Sequence, residues 1–312
     1  MPSTAKMHAD ELDIDAALVS RLIAEQLPRW AGLPVRPVAS AGTDNAMYRL
    51  GDDMAVRLPR LPGGARQIDT EHRWVPRLAP HLPLAVPAPL AKGGPGGGYG
   101  LSWGVYRWLD GADAYAAPPT EPSDAARELG GFVAALRRAD AAGGPPSFRG
   151  GPVARNDGHV RTAIRDLGAD GILDPALATA AWEEAVRLPR WDGAPVWLHG
   201  DLLPGNLLTT NGRLTAVIDF GGLGVGDPAC DTMPAWTVFG TGTRALFRAA
   251  VDVDDATWAR GRGWALCFGL TAYHYYRGGR NPALAAVALR TVAEVLAEFT
   301  AAEVLAEFTA GD

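Results

Sequence analysis

The chain has 312 residues, 47% apolar and 21% charged, the make-up of a globular protein long enough for two domains and not of a disordered one. A net charge of −6 argues against nucleic acid as the main partner, and no apolar run approaches the ~20 residues that a membrane helix requires. The first residues lack the apolar core of a secretory signal, and Cys230 and Cys267 have no metal-ligand spacing, so a cytoplasmic protein with two buried free thiols is expected.

In chain order, Asp13 or Asp15 is placed to cap a helix running to Trp30, with Leu18, Leu22, Ile23 and Leu27 on one face. Three short β-type runs follow, Val35–Ser40, Ala46–Leu50 and Met54–Leu58, the last two joined by a hairpin turn at Gly51-Asp-Asp53. Between the first two, Gly42 permits close backbone approach while Ser40, Thr43 and Asn45 offer polar groups, which makes this loop a candidate phosphate flap. A helix is expected over about Gln67–Ala79, an irregular connector at Pro83–Pro89, a glycine-rich loop at Gly93–Gly100, and a buried strand at Leu101–Trp108. Ser123 to about Ala141 is amphipathic, with Leu129, Phe132, Val133 and Leu136 inward. The Gly/Pro-rich segment Gly143–Gly158 is expected to be mobile, and helices are expected near His159–Leu167 and Pro175–Leu188. Asp157, Asp166 and Asp170 are expected as exposed caps and surface charges. After Asp231 the chain is expected to be helical, over about Pro228–Phe239, Thr243–Ala250, Ala256–Tyr275 and Ala283–Thr309.

The most informative stretch is Trp197-Leu-His-Gly-Asp-Leu-Leu-Pro-Gly-Asn-Leu-Leu208, followed by Ala216-Val-Ile-Asp-Phe-Gly-Gly222. It puts Asp201 on a loop between short strands, Asn206 five residues later, and Asp219 at a strand end. Phosphoryl transfer from a nucleotide uses such a set: one carboxylate receives the acceptor hydroxyl, while an amide oxygen and a second carboxylate hold divalent ions against the phosphates.

These segments resemble the catalytic and metal-binding segments of kinases, with His-Gly-Asp in place of His-Arg-Asp. More specifically they resemble the aminoglycoside phosphotransferase family and its choline-kinase-like relatives, as does Gly226-Asp227-Pro228-x-x-Asp231. The resemblance implies an α+β, two-lobed protein-kinase-like fold, with a β-rich nucleotide-binding lobe over residues 1–108 and a mainly helical lobe over 109–312. It implies Asp201 as catalytic base, Asn206 and Asp219 as Mg²⁺ ligands, His199 as a buttress of the loop, and Asp227 and Asp231 as ties behind it. At the position where kinases carry a phosphate-binding lysine this chain has Arg57; its only lysines, Lys6 and Lys92, lie in the tail and in a glycine-rich loop. An arginine fork can grip phosphate as well, and Glu71 is its expected carboxylate partner. Tyr106 and Trp108 fall where the family places the hinge that reads the purine of ATP or GTP. The catalytic carboxylates and the amide are expected to meet around a metal-bound triphosphate between the lobes.

The implied activity is O-phosphorylation of a small-molecule hydroxyl, an antibiotic above all, with choline, homoserine or a sugar as the metabolic alternative and a non-catalytic nucleotide-binding protein as another. Residues 1–108 carry 12 basic and 10 acidic side chains (+2) and residues 109–312 carry 17 and 25 (−8), a balance that suits an anionic nucleotide in front and a cationic aminoglycoside behind. The aromatic residues of the back half suit instead a macrolide or a nucleoside-type antibiotic. Asp231, Trp236, Tyr273, His274 and Arg277 are candidate lining of the acceptor pocket, and the protein is expected as a monomer or homodimer with no nucleic-acid or membrane partner. Finally, Ala293-Glu-Val-Leu-Ala-Glu-Phe-Thr300 recurs as residues 302–309. Nine residues are about two and a half helical turns, so the second copy should face away from the first and fray, bend or dock on another chain.

Overall fold

The computed structural model describes residues 14–38, 45–279 and 281–310, with side chains as far as residue 302. Two compact units are formed, one from residues 1–118 and 205–223, the other from residues 119–204 and 224–312. Among the described residues no helix is long and apolar enough to cross a membrane.

In the first unit, Asp15 caps helix α1 (Ala16–Gln26) by accepting from the Leu18 amide, and the stripe Leu18, Val19, Leu22, Ile23 is buried. Strands β1 (Val35–Pro37), β2 (Asn45–Leu50) and β3 (Met54–Pro59) run antiparallel, with Gly51 at φ +60° in the turn between the last two. All six residues of β3 are buried. Helix α2 (Pro62–Leu78) starts earlier than expected at Gln67, because Pro62 takes a first-turn position where its missing N–H is no loss. Strand β4 (Pro89–Gly93), which falls between the expected connector and the expected glycine-rich loop, pairs with β5 (Trp103–Arg107) and completes a five-stranded sheet of order β1-β2-β3-β5-β4. Gly93 is required there, since a Cβ would overlap the Trp103 ring. Helix α1 packs its buried stripe on this sheet, against Leu50, Val56, Leu58, Trp103 and Val105. The two-residue strand β6 (Ala112–Asp113) follows.

The second unit then contributes helices α3 (Pro122–Arg138), α4 (Asp157–Ala169) and α5 (Pro175–Arg187) and strand β7 (Val196–Leu198). The chain returns to the first unit for β8 (Leu207–Thr210) and β9 (Arg213–Val217), a hairpin that pairs with β6; this pairing is why the compact unit is not closed at residue 108. Strand β10 (Gly224–Gly226) pairs with β7 in the second unit, and helices α6 (Pro234–Thr237), α7 (Thr241–Val251), α8 (Asp255–Tyr276) and α9 (Pro282–Ala310) complete it. Helix α3 lies against α7 through Gly130, where a Cβ would come 2.5 Å from that of Ala250, and α8 against α9 through Gly269. The first copy of the C-terminal repeat buries Val295, Leu296 and Phe299. The second copy's side chains beyond residue 302 lie outside the described residues, so its expected packing is not addressed. The segment expected to be mobile is instead tied to β10: Ser147 N donates to Val225 O at 3.0 Å and Val225 N to Pro145 O at 2.8 Å.

Candidate active site

In the first unit the site is built around Arg57. Strand β3 carries it into the sheet opposite Gly104, and its side chain is buried. Glu71 shares the α2 face of Ile68, Val75 and Leu78 and is therefore buried too. Arg57 Nη1 donates to Glu71 Oε1 at 2.5 Å, and Glu71 Oε2 accepts from the Tyr106 hydroxyl at 2.5 Å. Nη2 lies 3.4 Å from Gln67 Oε1 and 3.2 Å from Asp219 Oδ1. Burial alone would lower the guanidinium pKa, but Glu71 and Asp219 outweigh it, so the pKa is raised and the charge is permanent. Arg57 Nε is buried with no hydrogen-bond partner among the described residues, as is Asn45 Oδ1.

Asp219 follows β9 in a left-handed conformation, φ 60° and ψ 70°, which asparagine and aspartate tolerate better than other side chains do. Its Oδ1 accepts from Gly221 N at 3.4 Å and its side chain is 41% exposed; Oδ2 has no partner among the described residues. Gly221 is confined by Gln67, Arg57 and Asp219, each 3.0 to 3.2 Å from where a Cβ would stand. Asn206 ends a short turn, and its carbonyl accepts from Ile218 N at 2.9 Å, tying it to the residue before Asp219. One amide and one carboxylate are hard oxygen donors, and Mg²⁺ takes its other ligands from water and phosphate, so this pair fits that ion.

In the second unit, β7 delivers His199-Gly200-Asp201 onto a turn with Gly200 at φ +81°. Asp231 clamps that turn from behind: Oδ2 accepts from His199 N at 2.6 Å and Oδ1 from Gly200 N at 2.8 Å. Burial pushes the Asp231 carboxyl up from its ordinary range, against the pull of His199 and the two amides. His199 is fully buried and its Nδ1 accepts from Asp201 N at 3.2 Å, the buttressing expected of it. Asp227 caps the turn that carries Asp231 by accepting from Ala229 N at 3.0 Å, and Arg260 grips both its oxygens at 2.8 and 3.2 Å. The Asp201 side chain stays 29% exposed, with Oδ1 accepting from Arg149 Nη1 at 2.6 Å.

The model of the phosphotransferase enzyme family matches residues 35–264. The chain belongs to that family. This phosphotransferase is similar to the "Uncharacterized protein YcbJ" of Bacillus subtilis (strain 168), 30% identical over 200 residues, 61% of this chain and 60% of the relative's length. Among solved structures it is similar to the GDP complex of wild-type aminoglycoside 2'-phosphotransferase-IIIa, at 21% identity and a TM-score of 0.69, covering 91% of this chain and 99% of that one. It is also similar to the macrolide 2'-phosphotransferase MphH from Brachybacterium faecium, at 26% identity and a TM-score of 0.56, covering 88% and 97%. The antiparallel sheet followed by a helical part is thus the α+β kinase-like fold of these enzymes.

Of the other expected site positions of this phosphotransferase, some lie outside the described residues and some sit elsewhere than expected. Ser40, Gly42 and Thr43 lie outside the described residues; of the expected flap only Asn45 is described, at the start of β2. Tyr106 does not face a base: its backbone is paired to β3 and β4 on its two sides and its hydroxyl holds Glu71. Trp108 donates its backbone N–H to Asp53 O and its indole N–H to Asp110, with the Arg49 guanidinium 4.0 Å over its ring. In the expected acceptor lining, Asp231 is buried behind the loop and Trp236 is sealed in the core, donating to Glu298. His274 and Arg277 pair with Asp166 and Asp170, at 3.0 Å in the first case, while Tyr273 is half-buried. Those carboxylates are therefore partners, not bare surface charges. Sequence reasoning missed Arg149 and Arg260 altogether. A signal existed for the first in the run Phe148-Arg-Gly-Gly151, whose glycines mark close backbone approach.

Proposed function

We propose that this phosphotransferase moves the γ-phosphoryl group of ATP or GTP to a hydroxyl of a small-molecule antibiotic and thereby inactivates it. The observation that carries the reading is the presentation of Asp201: a partly exposed carboxylate on a turn whose amides are clamped by Asp231 and whose own amide is held by His199. Such a group is rigid enough to aim a hydroxyl and open enough to receive one. Asp201 accepts the hydroxyl's hydrogen bond and takes its proton late, since a loose transition state needs little base strength. The acceptor oxygen–phosphorus bond forms as the bridge between the β- and γ-phosphates breaks, and the electron pair leaves with the nucleoside diphosphate. Arg57, aligned by Glu71, binds the phosphates. Asn206 and Asp219 would hold Mg²⁺, which supplies charge stabilisation on the phosphates.

The acceptor class draws support from the aminoglycoside and macrolide enzymes that this chain is similar to, and from the acidic balance of residues 109–312, which favours a cation. The test is acceptor-dependent release of ADP or GDP across kanamycin, gentamicin, streptomycin and erythromycin, run beside choline, homoserine and simple sugars. Turnover with an antibiotic supports the reading; turnover with a metabolite alone replaces the substrate class, and nucleotide binding without transfer to any of them overturns the activity.

A further inference from the structure

Arg149 lies outside every motif that marks the site, yet the structure sets it on the working carboxylate. Its backbone is fixed on both sides, to β10 and to the residue that follows it: Ser147 N donates to Val225 O and Asp227 N to Gly150 O, each at 3.0 Å. A Cβ on Gly150 would stand 2.9 Å from Gly226 Cα, so the two backbones touch and neither position accepts a side chain. From this anchor Nη1 donates to both Gly200 O and Asp201 Oδ1 at 2.6 Å. The Phe148 ring, 64% exposed, flanks the guanidinium at 5.1 Å.

Two features show that this is more than a loop tie. The turn is already held by Asp231 through two amides, so the backbone has no need of a second clamp. And the Nε–Nη2 edge of Arg149, the side of the fork that binds phosphate oxygens in pairs, has no partner among the described residues. The guanidinium stays cationic, since Asp201 beside it outweighs the effect of burial.

We propose that Arg149 is a further working residue of the transfer: it fixes Asp201 through Oδ1 and offers its free N–H edge to the oxygens of the phosphoryl group as that group reaches the acceptor. This rests on the phosphotransfer reading. The oxygen that Asp201 engages becomes the bridging oxygen of the new phosphate ester, so the transferred group, with its negative charge, arrives beside this arginine. Arg149 gives hydrogen bonds and no proton; the proton goes to Asp201 and the electron pair to the departing diphosphate.

The test compares wild type with Arg149→Ala and Arg149→Lys, using kanamycin and erythromycin as acceptors with each nucleotide. Arg149→Ala should lower kcat about 100-fold with nucleotide KM little changed, because a misplaced reacting group is felt in the chemical step. Arg149→Lys should recover part of the rate, since an ammonium supplies charge but no paired edge. Guanidinium ion at non-denaturing concentration should partly rescue Arg149→Ala, which a merely structural loss would not allow. An acceptor-free measurement runs alongside: ADP or GDP, whichever raises the wild-type Tm, with Mg²⁺ and aluminium fluoride, a mimic of the group in flight, should raise the Tm of wild type more than that of Arg149→Ala, with the Mg²⁺–diphosphate alone raising both equally. Equal kcat, or equal Tm shifts with the mimic, removes Arg149 from the reaction and leaves the function standing. A wild type with neither turnover nor a response to the mimic overturns the function itself, and this inference with it.

Discussion

Two arginine–carboxylate pairs in this molecule look alike on paper and differ in physical character. Arg57 and Glu71 are both buried, and Glu71 has its second oxygen on the Tyr106 hydroxyl. Arg149 and Asp201 keep side chains 24% and 29% exposed, and half of the arginine fork is uncommitted. A pair this deeply buried belongs to the frame as well as to the proposed grip on phosphate, so disturbing it disturbs the fold. A half-open pair has room for a third party, and disturbing it should disturb the reaction instead.

The sharpest way to break this contrast is Glu71→Ala. It leaves the Arg57 charge buried beside Asp219 alone and should destabilise the protein by about 3–5 kcal/mol, the range for an orphaned buried charge. Denaturant unfolding measures it, and a loss below about 1 kcal/mol, the scale of a surface pair, would put Glu71 in the wrong class. Asp201→Asn should do the reverse, leaving Tm and nucleotide affinity near wild type while kcat falls by about 10² to 10⁴, the usual worth of a positioned general base. Retained turnover would end the assignment of Asp201. Asp231→Ala falls between, since it orphans the His199 and Gly200 amides: about 1–3 kcal/mol of stability should go, together with activity. If activity survives intact, the clamp does not set the loop.

The smallest effect depends on pH. His72 lies edge-on to Tyr106 at 5.3 Å, its Nε2 is buried without a partner among the described residues, and burial, helped by Lys92, pulls its pKa down to about 4. An unfolded histidine titrates near 6.5, so the unfolded chain takes up this proton first. The stabilising contribution is therefore whole above about 6.5 and fades as pH falls towards 4, by about 1–2 kcal/mol because burial is partial. His72→Leu should flatten the stability profile over that interval in urea titrations at several pH values; an unaltered slope would show that His72 is not the group responsible.

The candidate catalytic set could be seen in the sequence because it depends on local spacing. His199, Asp201, Asn206 and Asp219 sit within 21 residues, on and between short strands whose alternation is plain. The pairing of Arg57 with Glu71 was legible as well. What could not be seen was set by contacts between distant segments. Strand β4 has no period of its own and exists because β5 pairs with it. The start of α2 was masked by Pro62-Gly-Gly64, letters of a loop that a first helical turn also accepts. Arg149 is 52 residues from its carboxylate. Tyr106 and Trp236 show the opposite failure, since an aromatic beside a motif suggests a ligand until its polar atom is found bonded inside the core.

Helix α8 meets the turn that carries Asp231 through Gly261, where any added carbon would run into Thr232 Oγ1. The separation of that helix from the carboxylate's anchor is thus fixed by the absence of a side chain at position 261. Arg260, one residue earlier on α8, reaches Asp227 at the start of the same turn, so the helix holds that turn by close approach and by charge together. Bulk added at position 261 would therefore push on the aim of Asp201 from a distance, through the clamp that holds its turn.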